Sequence, residues 1–491
     1  MRKIISSVLL SLLLVSNVHA QDVGASVTYL KILRGGPDLD CIGKVVCKPS
    51  GEVDAQRWSV GCECLDRDMA DFSKYGKYVG ELGVSHARIQ SGWKKTEQKK
   101  GRYDFKWLDD IVDGLIAQNV KPWVCLCYGN PLYSDSGFTL GNAIFTDDAS
   151  MAAWEKYVEA TVSRYKGRVE LWEVWNEPNI AVNQDHPERY VNLLIRTCHV
   201  IHKVDSDAHI AAFSLASLDY KWLKRALDDL ASRGEKGLFD YVSLHKYFEN
   251  PDEGDYDFPL LTELIHSYYP DVTVFQGESG CPSELGWDHA LKFNEWTEYS
   301  QAKNVIRRMA CDFALGQSCS VFTMVDLVYP DFRQSFGLLC TSLQGNVKYK
   351  KPSFYAVRNM VNILHDGIVP CKQEWDALCS EELKVVGLAN KEDGGKIGAI
   401  VYFSGDVPSS DLTFTELNIR FKDLSLENPV LVEPISGRVY RLDRFHYSPN
   451  NPDRRYKLPV WDSPVLLIEE SALCCETRKG DGLDTLFANE W

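Results

Sequence analysis

The sequence predicts an α/β chain, a (β/α)8 barrel followed by a small antiparallel β-sandwich, and three observations predict it. From Arg57 onward, short strand-like runs alternate with amphipathic helical runs, the pattern of repeated β/α units that close a parallel sheet. From about Asp366 that alternation gives way to short two-residue-period segments separated by turn residues, the pattern of an antiparallel sandwich. Two of the barrel runs stop abruptly at a glutamate, and the C-terminal lip of a parallel barrel is where catalytic groups stand.

Eight strands are predicted at 58–64, 84–90, 120–127, 169–175, 209–214, 241–245, 272–277 and 320–324, each an apolar, β-branched or aromatic run. Helical periodicity falls between them at 69–82, 107–118, 149–165, 188–204, 218–232 and 295–315, and a further run at 353–364 closes the barrel. The barrel domain is thus 57–365. Residues 21–56 carry glycine and proline punctuation and read as a lead-in that donates a strand to the sandwich. The sandwich, 366–491, has strand-like segments at 397–403, 412–421, 430–432, 439–442 and 465–469. Long inserts at 128–148, 248–259 and 279–294 follow the third, sixth and seventh strands and so lie together as a binding rim.

Arg2 and Lys3, the apolar run 4–15 and Val18-His19-Ala20 have the layout of a signal peptide, 1–20, cleaved after Ala20, which makes the protein exported. That run is too short to span a bilayer. With 54 basic and 69 acidic residues the formal net charge is −15. Such a balance repels nucleic acid and anionic membranes and suits a neutral partner such as an oligo- or polysaccharide. Fifteen cysteines are an odd number in a chain too large to need a disulfide scaffold. Cys41 with Cys47 and Cys371 with Cys379 are spaced for small loop closures. Cys62 with Cys64, and Cys125 with Cys127, alternate within apolar runs, which places each pair on one strand face as buried packing and not as a metal site. Nothing in the sequence explains Cys474-Cys475.

The informative stretch is 171–179, LWEVWNEPN. Proline cannot donate to a sheet ladder, so the strand ends at Asn176-Glu177-Pro178 and leaves Glu177 on the lip. The stretch 272–280, VTVFQGESG, ends the same way at Glu278 in a glycine-punctuated turn. One carboxylate closes the fourth strand and the other the seventh, across the barrel mouth. Two carboxylates about 5 Å apart around a glycosidic bond make a retaining glycosidase.

On these residues the sequence resembles clan A of the glycoside hydrolases, retaining enzymes built on a TIM-type (β/α)8 barrel. Leu82-Gly83-Val84, Arg88, Trp93, Gly101-Arg102-Tyr103-Asp104-Phe105, Leu108-Asp109 and WEVWNEPN are most similar to family 39, which contains β-xylosidases and α-L-iduronidases. The resemblance implies that Glu177 is the acid/base, Glu278 the nucleophile and Asn176 a partner of the sugar 2-hydroxyl. By position it also places His245 and Tyr247 beside the nucleophile. Arg88, at the end of the second strand, adds positive charge there, so the two glutamates acquire unequal proton affinities. No metal and no cofactor is required. Trp93, Tyr128, Asn130 and Asp326 are expected to bind sugar, together with Glu63 and Asp66 after the first strand. The chain departs from the clan where a Trp commonly ends the eighth strand and it reads Phe322-Thr323-Met324-Val325-Asp326, so the floor of the sugar site differs. Exo-action on β-linked sugars is the favoured reading. An endo-β-glycanase and a non-catalytic glycan-binding barrel are the alternatives.

Overall fold

The computed structural model describes residues 37–134, 143–255, 257–286, 290–443, 447 and 455–477. Eight parallel strands close a barrel: β1 (Trp58–Gly61), β2 (His86–Gln90), β3 (Lys121–Leu126), β4 (Leu171–Val174), β5 (His209–Ala216), β6 (Tyr241–His245), β7 (Thr273–Ser279) and β8 (Cys319–Val321). The last pairs with the first through Trp58 and Cys319, so no edge is left open. Every predicted strand is present, most of them trimmed by a residue or more at one end. The helical jacket packs on the barrel in one apolar core that runs on into the second domain, while Trp123, Ala211 and Phe275, with Leu171 and Tyr241, form a separate small cluster on the barrel strands.

Two further antiparallel sheets form the β domain expected after the barrel. One sheet has eight strands and includes Leu383–Asn390, Lys396–Phe403, Pro429–Glu433, Arg438–Arg441 and Val465–Glu469; a second has three, Trp375–Ala377, Thr415–Phe421 and Arg455–Val460. Asp40–Val45 pairs antiparallel with both Arg438–Arg441 and Cys475–Thr477, so a strand that precedes the barrel is built into the larger sheet.

The seam between barrel and sandwich is made by the helix Glu298–Ala314. Arg307, fully buried on it, donates Nε to Asp252 Oδ2 (3.0 Å), Nη1 to the Asp406 carbonyl (2.9 Å) and Nη2 to Asn250 Oδ1 (2.9 Å) and the Ser404 carbonyl (2.8 Å). Lys303, one turn earlier, pairs with Asp462. Asn250 and Asp252 lie in the loop after β6, so the sandwich holds that loop.

Several expectations are corrected. The helix expected over 69–82 is broken into Phe72–Tyr75 and two 3-10 turns, Gly76–Tyr78 and Gly80–Leu82, because glycines interrupt it and the Phe72 ring packs against Gly76 and Gly114. The insert 248–259 is in part a helix, Asp257–Tyr268, with Pro259 in its first turn, where the missing N–H is tolerated. Cys371 and Cys379 are free, while the Cys41 thiol donates to the Gly43 carbonyl and the Cys47 thiol to Asn359 Oδ1, so neither expected loop closure is formed. The expected signal peptide, the first part of the lead-in and parts of the inserts 128–148 and 279–294 lie outside the described residues. Among the described residues no helix is long and apolar enough to cross a membrane.

Candidate active site

β4 ends as its sequence demands. Trp175 and Glu177 both take left-handed backbone angles (φ 68° and 49°), a costly conformation for non-glycine residues that turns the chain sharply over the lip. The turn is pinned from both sides. Trp175 N donates to the Leu126 carbonyl and Glu177 N to the Ser214 carbonyl, each at 3.0 Å. The Asn179 side chain donates to the Ala216 carbonyl (2.7 Å) and accepts from its N–H (2.9 Å). At β7 the register slips opposite β6, so that Glu278 stands across from His245. Gly277 makes this possible, since a Cβ there would lie 1.8 Å from Ser243 Oγ.

Glu177 and Glu278 therefore meet. One oxygen of each and a ring nitrogen of His245 lie within 4.8 Å of one another. His245 Nδ1 is 3.4 Å from Glu177 Oε1 and 3.7 Å from Glu278 Oε2. Three such atoms can bracket a small cation, but the positive charge beside Glu278 is already supplied by protein. The Tyr247 hydroxyl donates to Glu278 Oε1, and Arg88 Nη1 donates to Glu278 Oε2 at 3.0 Å. Burial, with the Glu278 carboxylate beside it, pushes the Tyr247 hydroxyl far above its ordinary value and keeps it a donor.

Arg88 is the hub of the site and is fully buried. Besides Glu278 it donates Nε to Glu173 Oε2 (2.6 Å), Nη1 to Glu63 Oε1 (3.0 Å) and Nη2 to Asn176 Oδ1 (2.7 Å). Fixing the Asn176 oxygen on Arg88 leaves its amide NH2 as a donor. Burial alone would lower the guanidinium's proton affinity, yet Glu173 and Glu63 more than offset it and hold Arg88 charged. Burial pushes the Glu63 carboxyl up to about 7, with Glu278 and Glu173 adding to the rise against the pull of Arg88. For His245, burial opposes the charged form, but Glu278 and the hydrogen bond to Glu177 outweigh it and the pKa rises.

The predicted residues thus divide. Glu177, Glu278, Asn176, His245, Tyr247, Arg88 and Glu63 form one cluster. Tyr128 stands at the mouth, edge-on to Trp175 at 5.8 Å, with the Arg67 guanidinium over its ring at 5.1 Å. Asp66 turns to Arg67, 3.4 Å away. Trp93 is no sugar platform. It is 0% exposed inside a nest of Tyr133, Phe145, Trp154 and Tyr157, and its indole N–H goes to Glu97. Asn130 is a buried loop clamp that donates to the Trp93 and Glu97 carbonyls. Asp326 is locked to Lys351 Nζ at 2.6 Å and Arg333 Nη2 at 3.2 Å. These three corrections share one cause, since polar and aromatic residues next to a mouth also build the walls that hold it.

Two residues of the site escape the sequence reading. Glu173, 0% exposed in mid-strand, binds Arg88 Nε and accepts from Ser214 Oγ. Its signal is a charge inside an otherwise apolar buried strand. Phe322 follows β8, edge-on to Tyr247 at 6.0 Å and to Phe336 at 5.6 Å, so an aromatic ring packs beside Tyr247 where the departure from Trp implied a different floor.

Barrel, carboxylate pair and arginine hub together resemble the arrangement of the clan A glycoside hydrolases. The model of the family "Glycosyl hydrolases family 39" matches residues 58–265, from β1 to the helix after β6, which includes Glu177 and His245. The chain is similar to that family over this stretch. It is 26% identical over 163 residues to a β-xylosidase of Geobacillus stearothermophilus, across 30% of this chain and 32% of that one, so it spans about a third of the curated relative. Among solved structures, a family 39 glycoside hydrolase of the gut symbiont Bacteroides cellulosilyticus shares the fold with TM-score 0.66 and 18% identity, covering 85% of this chain and 81% of its own. A monomeric β-xylosidase of Caulobacter crescentus does so with TM-score 0.56 and 16% identity, covering 87% and 98%.

Proposed function

We propose that the protein is a retaining glycoside hydrolase that removes terminal β-linked sugars, β-xylosides foremost, with Glu278 as nucleophile and Glu177 as acid/base. The observation that carries this reading is the approach of the two carboxylates to within 4.8 Å, which suits direct attack and leaves no room for the water an inverting pair must hold between them. The two are also unequal. Glu278 receives donors from Tyr247 and Arg88, which stabilise negative charge on it, whereas Glu177 is the more open, with 22% of its side chain exposed against 12%.

In the first step a Glu278 oxygen attacks the anomeric carbon, the bond to the leaving oxygen breaks, and the Glu177 proton passes to that oxygen. In the second, Glu177 takes a proton from water, the water oxygen bonds to the anomeric carbon, and Glu278 departs as carboxylate with the electron pair. Asn176 donates to the 2-hydroxyl, and Tyr128 and Phe322 supply apolar surface to the ring. The β-xyloside preference rests on the β-xylosidases among the similar proteins, exo-action on the long inserts around the mouth, and export on residues 1–20.

The test is proton NMR of the first product formed from an aryl β-xyloside. Retention gives the β-anomer before mutarotation, and initial release of the α-anomer would sink the reading. On an oligosaccharide ladder an exo-enzyme releases monosaccharide only.

A further inference from the structure

Four glutamates, Glu63, Glu173, Glu177 and Glu278, share the barrel mouth with one arginine, Arg88, and one histidine, His245. Among the described residues, two positive charges at most make these contacts with the four carboxyls, in a largely buried setting where uncompensated charge is strongly disfavoured. Balance requires two of the four to hold protons. Under the glycosidase reading, on which this inference rests, one of them is Glu177. Glu173 accepts from Arg88 Nε at 2.6 Å and from Ser214 Oγ, and Glu278 accepts from Arg88 and Tyr247, so each has donors on both of its oxygens. Glu63 is left. Its Oε1 accepts from Arg88, but its Oε2 is buried with no hydrogen-bond partner among the described residues, a poor place for a full negative charge. Arg88 Nη1, moreover, is a shared donor, 3.0 Å from Glu63 Oε1 and 3.0 Å from Glu278 Oε2.

We propose that Glu63 is a positioning residue that carries the second proton at neutral pH and, through the shared Arg88 Nη1, sets how readily Glu278 leaves the sugar in the second step. Neutral Glu63 is a weak acceptor, so Nη1 serves Glu278 as negative charge returns to it. Ionised Glu63 draws the other Nη1 hydrogen and the guanidinium charge toward itself and places a like charge beside the departing carboxylate. The charged groups facing Glu63 are Arg88 from β2, Glu173 from β4 and Glu278 from β7. The other titratable groups that sense it, Cys62, Cys64, Tyr75 and Tyr247, are buried and held neutral.

Two measurements test this. In infrared titrations of the resting protein, a carboxylic-acid band present at about pH 6 should vanish by about pH 8. It should persist in Glu177→Gln and be absent in Glu63→Gln. With a dinitrophenyl β-xyloside, whose leaving group needs little acid assistance, the second step limits turnover. The wild-type kcat should then fall about tenfold between about pH 6 and about pH 9 while glycosyl-enzyme accumulates in quenched mass spectra, and Glu63→Gln should stay flat. A purely structural role would lower the variant's kcat by one factor at every pH, and parallel profiles overturn the proposal. So does a Glu177→Gln protein with no band titrating near neutrality, without recourse to any Glu63 variant. Wild type inert toward every aryl glycoside would instead strike the glycosidase reading, while the infrared result still decides where the proton sits.

Discussion

The barrel mouth and the barrel–sandwich seam each bury an arginine among acids, yet they are built in opposite ways. At the seam Arg307 has a partner for each of its nitrogens, one carboxylate and several carbonyl or amide oxygens, and Lys303 has its own aspartate. At the mouth Arg88 is divided among three glutamates and an asparagine, a fourth glutamate stands beside them, and Glu63 Oε2 and His245 Nε2 are left without hydrogen bonds among the described residues. Matched charge is what a scaffold needs. An excess of one sign in a buried cluster makes proton positions movable, which is what acid–base chemistry needs and what a stable core avoids.

Substitutions that break this contrast should separate activity from stability. Glu278→Gln at the mouth should lower turnover roughly ten-thousand-fold in steady-state assays, yet leave the thermal midpoint unchanged or higher because one like charge is gone. Arg307→Met at the seam should do the reverse. Stability in denaturant titrations should drop by about 3–5 kcal/mol through the stranded Asp252, with near-normal kcat in whatever fraction folds. Tyr247→Phe removes one donor from Glu278 and should cost roughly tenfold to a hundredfold in kcat, with little change in midpoint.

The smallest effect is the most diagnostic. The Glu63 carboxyl is raised from 4.5 to about 7 in the folded protein, so between those values the native state holds a proton that the unfolded chain has released. Stability therefore falls as pH rises through that window. Glu63→Gln should flatten this dependence by about a kcal/mol or two, read from denaturant midpoints on either side of neutrality. An unchanged slope would place Glu63 with the matched charges of the seam.

What the sequence made legible follows from how local each signal is. Asn176-Glu177-Pro178 marks a strand end by backbone chemistry, and Glu278 lies one residue inside the end of β7, so both carboxylates and the eight strands could be read without coordinates. Glu173 could not, because its meaning comes from Arg88, which is remote in sequence, and a single charge in an apolar run reads as a break in pattern. Trp93 was misread for the converse reason: an aromatic beside the mouth looks the same in sequence whether its face is open or covered by Tyr133 and Tyr157. The helix Asp257–Tyr268 was hidden by Pro259, whose place in a first turn is visible only once the turn exists. In the sandwich, Leu383–Asn390 and Arg455–Val460 carry lysine, glycine or proline that blur the two-residue period, and their pairing partners supply what the pattern lacks.

The pairing of Asp40–Val45 with Arg438–Arg441 gives the molecule a peculiar order of assembly. A ribosome has to produce roughly 400 further residues, the entire barrel among them, before the first of these strands can find its neighbour, which makes this contact among the most non-local in the chain. Until then its row of unsatisfied amides is an open template for the wrong partner. Early termination of synthesis or clipping of the late strands should therefore yield sticky, aggregating fragments instead of a smaller folded protein.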